Sequence, residues 1–134
     1  MLHRFHKFDH DRVINKYLKN REVACKCRHR NCVTTLLDHR VNGAFYKLRH
    51  ILGLPLHVTS GYRCELHNQD VGGSLNSYHT QGKALDIVFN PKLKGSVGYN
   101  YTLNYFIDCA KEAGFTFYKH YPEKNFIHLD IREV

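Results

Sequence analysis

The sequence lacks any long hydrophobic run, and no stretch approaches the roughly 18 consecutive apolar residues that a membrane-spanning helix needs. The first seven residues carry charges, but no apolar segment follows them, so we expect no secretory signal peptide and a soluble protein. Internal repeats and low-complexity segments are also absent, and proline is scarce, with 3 residues. These absences leave one continuous domain as the expected organisation of 134 residues.

Acidic residues are few, with 12 Asp and Glu against 20 Lys and Arg, so the formal net charge is +8 and the pI is about 9.3. This excess favours a polyanionic partner, such as nucleic acid, an acidic membrane or an anionic wall polymer, without distinguishing among them. The hydrophobic content of 43%, with 9 Tyr and 8 Phe, can supply a core. Wholesale disorder is therefore excluded.

The cysteines number five, which is odd, and without a signal peptide we expect reduced thiols. Three of them, Cys25, Cys27 and Cys32, enclose His29, and thiolates are strong zinc ligands. However, the paired CxxC arms of common zinc sites are missing. We therefore interpret this segment as reduced thiols packed near the first helix, with a second, structural zinc ion as the alternative. Cys109 is expected in the core.

Apolar periodicity predicts two helices, over residues 34–52 and 101–113, which end at Gly53 and Gly114. The segment 63–71 is polar and is expected to be looped or briefly helical. Alternating or apolar runs between turn signals predict four strands, over residues 56–60, 83–89, 115–118 and 126–131. This order indicates a compact α+β domain, in which helices pack on an antiparallel sheet.

Three side chains have the chemistry of a zinc site. His79 ends a turn, Asp86 lies on the following predicted strand, and another strand supplies His128. Two imidazoles and a carboxylate can hold a tetrahedral zinc ion and leave its fourth position open to water. With 11 histidines in the chain, spacing alone would favour surface or capping histidines over a zinc site.

The segment 77–86 reads Ser-x-His-x-x-Gly-x-Ala-x-Asp, which matches the SxHxxGxAxD signature of a family of zinc peptidases. These enzymes act on D-alanyl-D-alanine and on other peptide bonds of peptidoglycan. They include carboxypeptidases, dipeptidases and the L-alanyl-D-glutamate endopeptidases of phage lysins, and they share their fold with the Hedgehog signalling domain. Residues 59–63, TSGYR, resemble the family's SGYR turn, and residues 126–130, FIHLD, resemble the FVHVD strand of its phage and murein endopeptidase branch.

The resemblance covers about residues 36–132 and implies that His79, Asp86 and His128 bind zinc. It further implies that Arg63 steadies an oxyanion or a substrate carboxylate. Ser77 would hydrogen-bond near the substrate. Without the resemblance, the residues alone would favour a surface salt bridge for Arg63 and a turn or capping hydroxyl for Ser77.

Three tyrosines are further candidates for the substrate groove, namely Tyr62, Tyr118 and Tyr121, with half-buried packing as the alternative. The general base is less defined, because Asn125 stands where the dipeptidase branch has an acidic residue. The murein endopeptidase branch keeps an aspartate two positions after the second histidine, as Asp130 is here. Strand parity places Asp130 on the face of His128, where it could accept a proton or orient a ligand. Glu123 is the second candidate, and either carboxylate could instead be a solvated surface group.

These observations predict a zinc metallopeptidase that acts on the peptide stems of peptidoglycan, with Asp130 favoured over Glu123 as the carboxylate that shuttles the proton. We expect residues 1–33 to form an N-terminal segment of the same domain as the peptidase core, 34–134. We also expect a monomer made in a host cytoplasm as a phage or prophage lysin, which reaches the wall after release or within a virion. The alternatives are a catalytically silent zinc-containing binding module and, less favoured, a basic nucleic-acid-binding protein.

Overall fold

The structure is a computed structural model that describes residues 1–133. In chain order its strands are β1 (Leu2–His6), β2 (Val13–Asn15), β3 (Leu18–Lys19), β4 (Thr34–Asp38), β5 (Val58–Ser60), β6 (Ala84–Val88), β7 (Phe117–Tyr121) and β8 (Phe126–Asp130). Its helices are α1 (Asn20–Val23), α2 (His39–Leu52), α3 (Glu65–Asp70), α4 (Val97–Asn100) and α5 (Leu103–Ala113). Two short 3-10 turns cover Tyr78–Gln81 and Pro122–Lys124.

The central sheet has four antiparallel strands in the order β5-β6-β8-β7. Alternate side chains of a strand point to opposite faces, and the apolar set of β6 and β8 is fully buried. This set belongs to one core cluster with Phe45 of α2 and Phe106 of α5. The predicted α+β domain with helices on an antiparallel sheet is confirmed. Within residues 1–133, no helix is long and apolar enough to cross a membrane.

The first predicted helix begins later than its apolar pattern suggested. Residues 34–38 form β4, which pairs antiparallel with β1, and α2 begins only at His39. Asp38 caps the helix, because its carboxylate accepts the N–H of Arg40. The expectation of a helix from residue 34 was wrong because it considered only local spacing, whereas a strand from the N-terminus pairs with this segment.

The other predicted elements are present with shifted bounds. The segment after Arg63 contains the short helix α3. The strand expected at 115–118 lies instead at 117–121, because the Phe115 N–H still bonds to the Ala110 carbonyl at the end of α5. The N-terminal segment packs on the core, since Gly61 lies so close to Val23 that an added Cβ would be 2.6 Å from its Cα.

Candidate active site

One row of side chains crosses the central sheet on the face opposite the helices. The strand register places Ser60 opposite Asp86, Asp86 opposite His128, and His128 opposite Lys119. Directly opposed residues in antiparallel strands project to the same face. The sheet therefore brings a carboxylate, an imidazole and an ammonium group together from three strands.

His79 reaches this row from the 3-10 turn that precedes β6. The turn is capped by the Ser77 hydroxyl, which accepts the His79 N–H at 3.2 Å. It ends at Gly82 in a left-handed conformation with φ 71°, and a Cβ there would lie 2.7 Å from the Leu36 carbonyl oxygen. Only glycine fits this position without a shift of the backbone, and its turn directs the buried His79 toward Asp86.

Three ligand atoms converge at one point of the site. Oδ1 of Asp86 lies 3.1 Å from Nε2 of His79 and 3.1 Å from Nδ1 of His128, and the two nitrogens are 3.2 Å apart. Ligand atoms about 2.0–2.1 Å from a tetrahedral zinc ion are separated by roughly 3.3–3.4 Å. The triangle formed by Oδ1 of Asp86, Nε2 of His79 and Nδ1 of His128 therefore has nearly the size that three ligands of a zinc ion require.

The opposite ring nitrogens show why this triangle suits a cation. Nδ1 of His79 is 2.7 Å from the Gly61 carbonyl oxygen, and Nε2 of His128 is 2.7 Å from Oδ2 of Asp130. Both partners are acceptors, so these nitrogens carry the protons and the inward nitrogens present lone pairs in the neutral rings. Two lone pairs and a carboxylate oxygen repel one another unless a cation lies between them, either a proton on one imidazole or a metal ion. The donor set thus fits zinc.

The charges around the centre are set by burial and by hydrogen bonds. Burial raises the pKa of Asp130, but hydrogen bonds from His128 and Arg132 outweigh it and hold the pKa at about 2. The pKa of Asp86 is likewise about 2, since the imidazoles of His128 and His79 overcome its burial. Burial lowers the pKa of His128, yet the hydrogen bonds to Asp130 and Asp86 raise it above its ordinary value. Both carboxylates are therefore ionised at neutral pH.

Asp130 lies behind His128, and its side chain is fully buried. Besides His128, its oxygens accept hydrogen bonds from Nε of Arg132 at 3.0 Å and from Nη2 of Arg132 at 2.7 Å. It does not line the cavity in front of the triangle. This position suits a role in orienting His128, whereas the sequence favoured Asp130 as the carboxylate that shuttles the proton.

A cavity of about 770 Å³ opens in front of the three ligands. Asp86 is its one carboxylate among the described residues, whereas five basic side chains line it: Lys26, Arg63, Lys119, Lys124 and Arg132. Aromatic rings of Tyr78, Phe117, Tyr121 and Phe126 also lie in its wall. The cavity is therefore basic and partly aromatic, which suits a substrate that carries carboxylates.

The predicted substrate-binding residues are not all placed at this cavity. Arg63 and Ser77 line it, and Arg63 donates from Nη1 to Oδ1 of Asn68 at 3.2 Å while its buried Nε has no partner among the described residues. Tyr118 instead lies on the opposite face of β7, where Nζ of Lys111 is 5.9 Å from its ring centre. Glu123 is exposed on the 3-10 turn and does not line the cavity.

Sequence reasoning missed Lys119, which lies beside the predicted Tyr121 on the cavity face of β7. The feature that assigns both residues to the cavity face is the hairpin register, which pairs Lys119 with His128 and Tyr121 with Phe126. Once this register is known, period-two alternation assigns residues 117, 119 and 121 to the cavity and Tyr118 to the other face. His67 of α3 also lines the cavity and was missed, because nothing in its local sequence distinguishes it.

Comparison with known protein families shows a match over residues 16–130 to the model of the family described as Peptidase M15. The matched segment begins well before residue 34 and includes the cysteine-rich stretch, α1 and all four strands of the central sheet. No curated protein matches the chain.

Proposed function

The chain belongs to the peptidase M15 family, and we propose that it is a zinc metallopeptidase that hydrolyses peptide bonds in the peptide stems of peptidoglycan. The observation that carries this proposal is the convergence of three ligand atoms at the floor of an open cavity. Three protein ligands leave a fourth position for water or substrate, which is the arrangement of catalytic zinc sites.

His79, Asp86 and His128 would hold the zinc ion. When bound in such a centre, zinc polarises the scissile carbonyl group and lowers the pKa of a water molecule to about 7. The chain's own contribution is orientation. The Gly61 carbonyl and Asp130 fix both imidazoles, and Arg132 in turn holds Asp130.

The basic lining determines which substrates the cavity suits. Arg63 is the best candidate to bind an oxyanion or a carboxylate, because its guanidinium carries a fixed charge and lines the cavity. Lys119 and Lys124 add further cations on the side of β7 and its turn. The D-alanyl and D-glutamyl residues of peptidoglycan stems carry free carboxylates, which these groups can bind.

The test is digestion of purified peptidoglycan of several wall types by the zinc-loaded protein, with mass spectrometry of the released fragments. We expect stem-peptide fragments that disappear with a chelator and with His79→Ala. His50→Ala is the matched control, because His50 is an exposed histidine of α2 away from the cavity. A chain that binds stoichiometric zinc but releases nothing from any wall type would favour the catalytically silent binding module instead.

We also propose that the protein acts as a lysin that reaches the wall after release from the cell that makes it. The net charge of +8 supports this, because it favours retention on anionic wall polymers. Addition of the protein to cells with permeabilised outer layers should cause lysis, whereas cytoplasmic expression alone should not. Lysis on cytoplasmic expression alone would contradict the proposal.

A further inference from the structure

A second cluster of metal-binding side chains lies outside the active site. The structure brings Cys64, at the N-terminus of α3, to Cys25, Cys27 and Cys32 of the N-terminal segment, and the four sulfur atoms all lie within 4.8 Å of one another. All four are free thiols. The sequence-based interpretation considered only the first three cysteines, and a fourth ligand from another part of the chain changes the chemistry available.

We propose that Cys25, Cys27, Cys32 and Cys64 bind a structural zinc ion. Zinc binds thiolates at about 2.3 Å, which separates the sulfurs of a tetrahedral site by about 3.8 Å. Sγ of Cys64 lies 3.8 Å from Sγ of Cys25 and 3.7 Å from Sγ of Cys27. Four protein ligands leave no open position, so this ion would stabilise the fold and take no part in hydrolysis.

Hydrogen-bond donors around the cluster point at the sulfur atoms, as expected for thiolate ligands. The Cys64 N–H donates to Sγ of Cys25 at 3.4 Å, and the His67 N–H donates to Sγ of Cys64 at 3.4 Å. Such donors stabilise the negative charge that thiolates retain when they bind a metal.

Lys7 is an independent sign of negative charge at this cluster. Its side chain is buried, and Nζ donates to Sγ of Cys27 at 3.2 Å and to the Cys27 carbonyl oxygen at 3.0 Å. Among residues 1–133, no carboxylate forms an ion pair with it. A buried ammonium group requires a compensating anion, and four thiolates with one Zn²⁺ carry a net negative charge.

The position of the cluster connects it to the active site. Segment 24–33 contains no helix or strand, so its place in the fold depends on contacts such as these. Cys64 directly follows Arg63, whose backbone N–H donates a hydrogen bond to the His79 carbonyl at 3.1 Å. The Gly61 carbonyl in turn accepts a hydrogen bond from Nδ1 of His79. A zinc ion at the cysteines would therefore hold the loop 61–64, which positions both Arg63 and His79.

The direct test is metal stoichiometry in the full chain, purified with a reductant and zinc and measured by inductively coupled plasma mass spectrometry. We expect two zinc ions per chain in the wild type and one in His79→Ala/His128→Ala, which removes two ligands of the other centre. Cys25→Ser/Cys64→Ser should retain one, and the control Cys109→Ser should retain two, because Cys109 is buried in α5 away from the cluster. A folded His79→Ala/His128→Ala chain without zinc would overturn the proposal, whatever the result for peptidase activity.

Two measurements need no cysteine variant, in case such variants fail to fold. Cobalt substitution of the His79→Ala/His128→Ala chain should give a thiolate-to-cobalt charge-transfer band and the intense visible absorption of a tetrahedral site. Thiol titration of the native wild type should show four cysteines that become reactive only after a chelator is added. Absence of the sulfur band, or an equal number of reactive thiols with and without chelator, would contradict the site.

Discussion

At the scale of single residues, each histidine of the active site is oriented from the side of its ring that faces away from Asp86. The Gly61 carbonyl does this for His79, and Asp130 does it for His128. The two partners differ in chemistry, because a backbone carbonyl cannot be removed by substitution whereas the carboxylate of Asp130 can. Substitution of Asp130 can therefore measure how much the orientation of His128 contributes to zinc binding.

Asp130→Asn should weaken zinc binding about 10- to 100-fold, because the amide replaces the carboxylate that holds the ring of His128. The measurement is competition for zinc between the protein and a chelator of known affinity, together with kcat at saturating zinc. Glu123→Gln is the control and should change neither quantity, since Glu123 is exposed outside the cavity. Unchanged zinc affinity with a large loss of kcat would show instead that Asp130 accepts a proton.

Arg63→Lys should lower kcat about 10²- to 10³-fold with zinc content unchanged, because lysine keeps the charge but loses the planar fork of donors. The comparison uses a soluble stem peptide and measures kcat, KM and bound zinc for each variant. Arg4→Lys is the matched control, because Arg4 is exposed on β1. Activity equal to wild type would show that Arg63 acts only through its bond to Asn68.

At the scale of elements, the junction between β4 and α2 depends on one buried carboxylate. Asp38 accepts the N–H of Arg40 as the helix cap, and its oxygens also accept hydrogen bonds from Nε and Nη2 of Arg40 at 3.1 and 3.0 Å. Burial tends to raise the pKa of Asp38, but these hydrogen bonds hold it below the ordinary value. The charge of Asp38 therefore stabilises the fold.

Asp38→Ala should lower the free energy of unfolding by about 1 kcal/mol at pH 7 through loss of the cap. Asp38→Asn keeps a capping oxygen and should lower it less. Because the pKa of Asp38 is lower in the folded chain, its stabilisation is complete above the unfolded value, about 3.9, and is lost as the pH falls through the folded value. The difference between wild type and Asp38→Asn should thus shrink below about pH 4.

Urea denaturation of the metal-free proteins between pH 7 and pH 2.5 measures this difference without interference from metal release. Asp108→Asn is the control, because Asp108 is an exposed carboxylate on α5. A difference between wild type and Asp38→Asn that stays constant over the whole range would contradict an ionic contribution from Asp38.

At the scale of the whole molecule, the excess of positive charge is distributed both around the cavity and outside it. We expect binding to insoluble peptidoglycan that carries anionic polymers to weaken strongly between 0.05 and 1 M salt. The reason is that the screening length of electrostatic interactions falls from about 10 Å at 0.1 M to about 3 Å at 1 M. Hydrolysis of a short soluble peptide should depend less on salt, because binding inside the cavity is screened less.

Sedimentation with wall material measures the binding, and the variant Lys92→Glu/Lys94→Glu tests the cause. Both lysines are exposed outside the cavity, and each substitution replaces a positive charge with a negative one, so the net charge falls from +8 to +4. We expect weaker sedimentation and unchanged hydrolysis of the soluble peptide. Equal sedimentation of this variant and the wild type at low salt would show that specific contacts, and not net charge, retain the protein.

Features that depend on neighbouring residues could be predicted from the sequence alone. The fold class and the M15 family were predicted correctly, and α5 lies almost where its periodicity placed it. The signature of residues 77–86 places His79 and Asp86 on one turn and the strand after it, and strand parity places His128 and Asp130 on one face. These relations are local, since they follow from the geometry of a turn or a strand over a few residues.

Features that depend on distant pairing were decided only by the tertiary structure. Residues 34–38 became a strand because β1 pairs with them, and Lys119 rather than Tyr118 reached the cavity because of the hairpin register. Asp130 faces His128 as parity requires, but Arg132 and burial determine what it can do there. Cys64 joins the other three cysteines through a contact that spans the whole of α2 and β5 in sequence, and no local pattern contains that information.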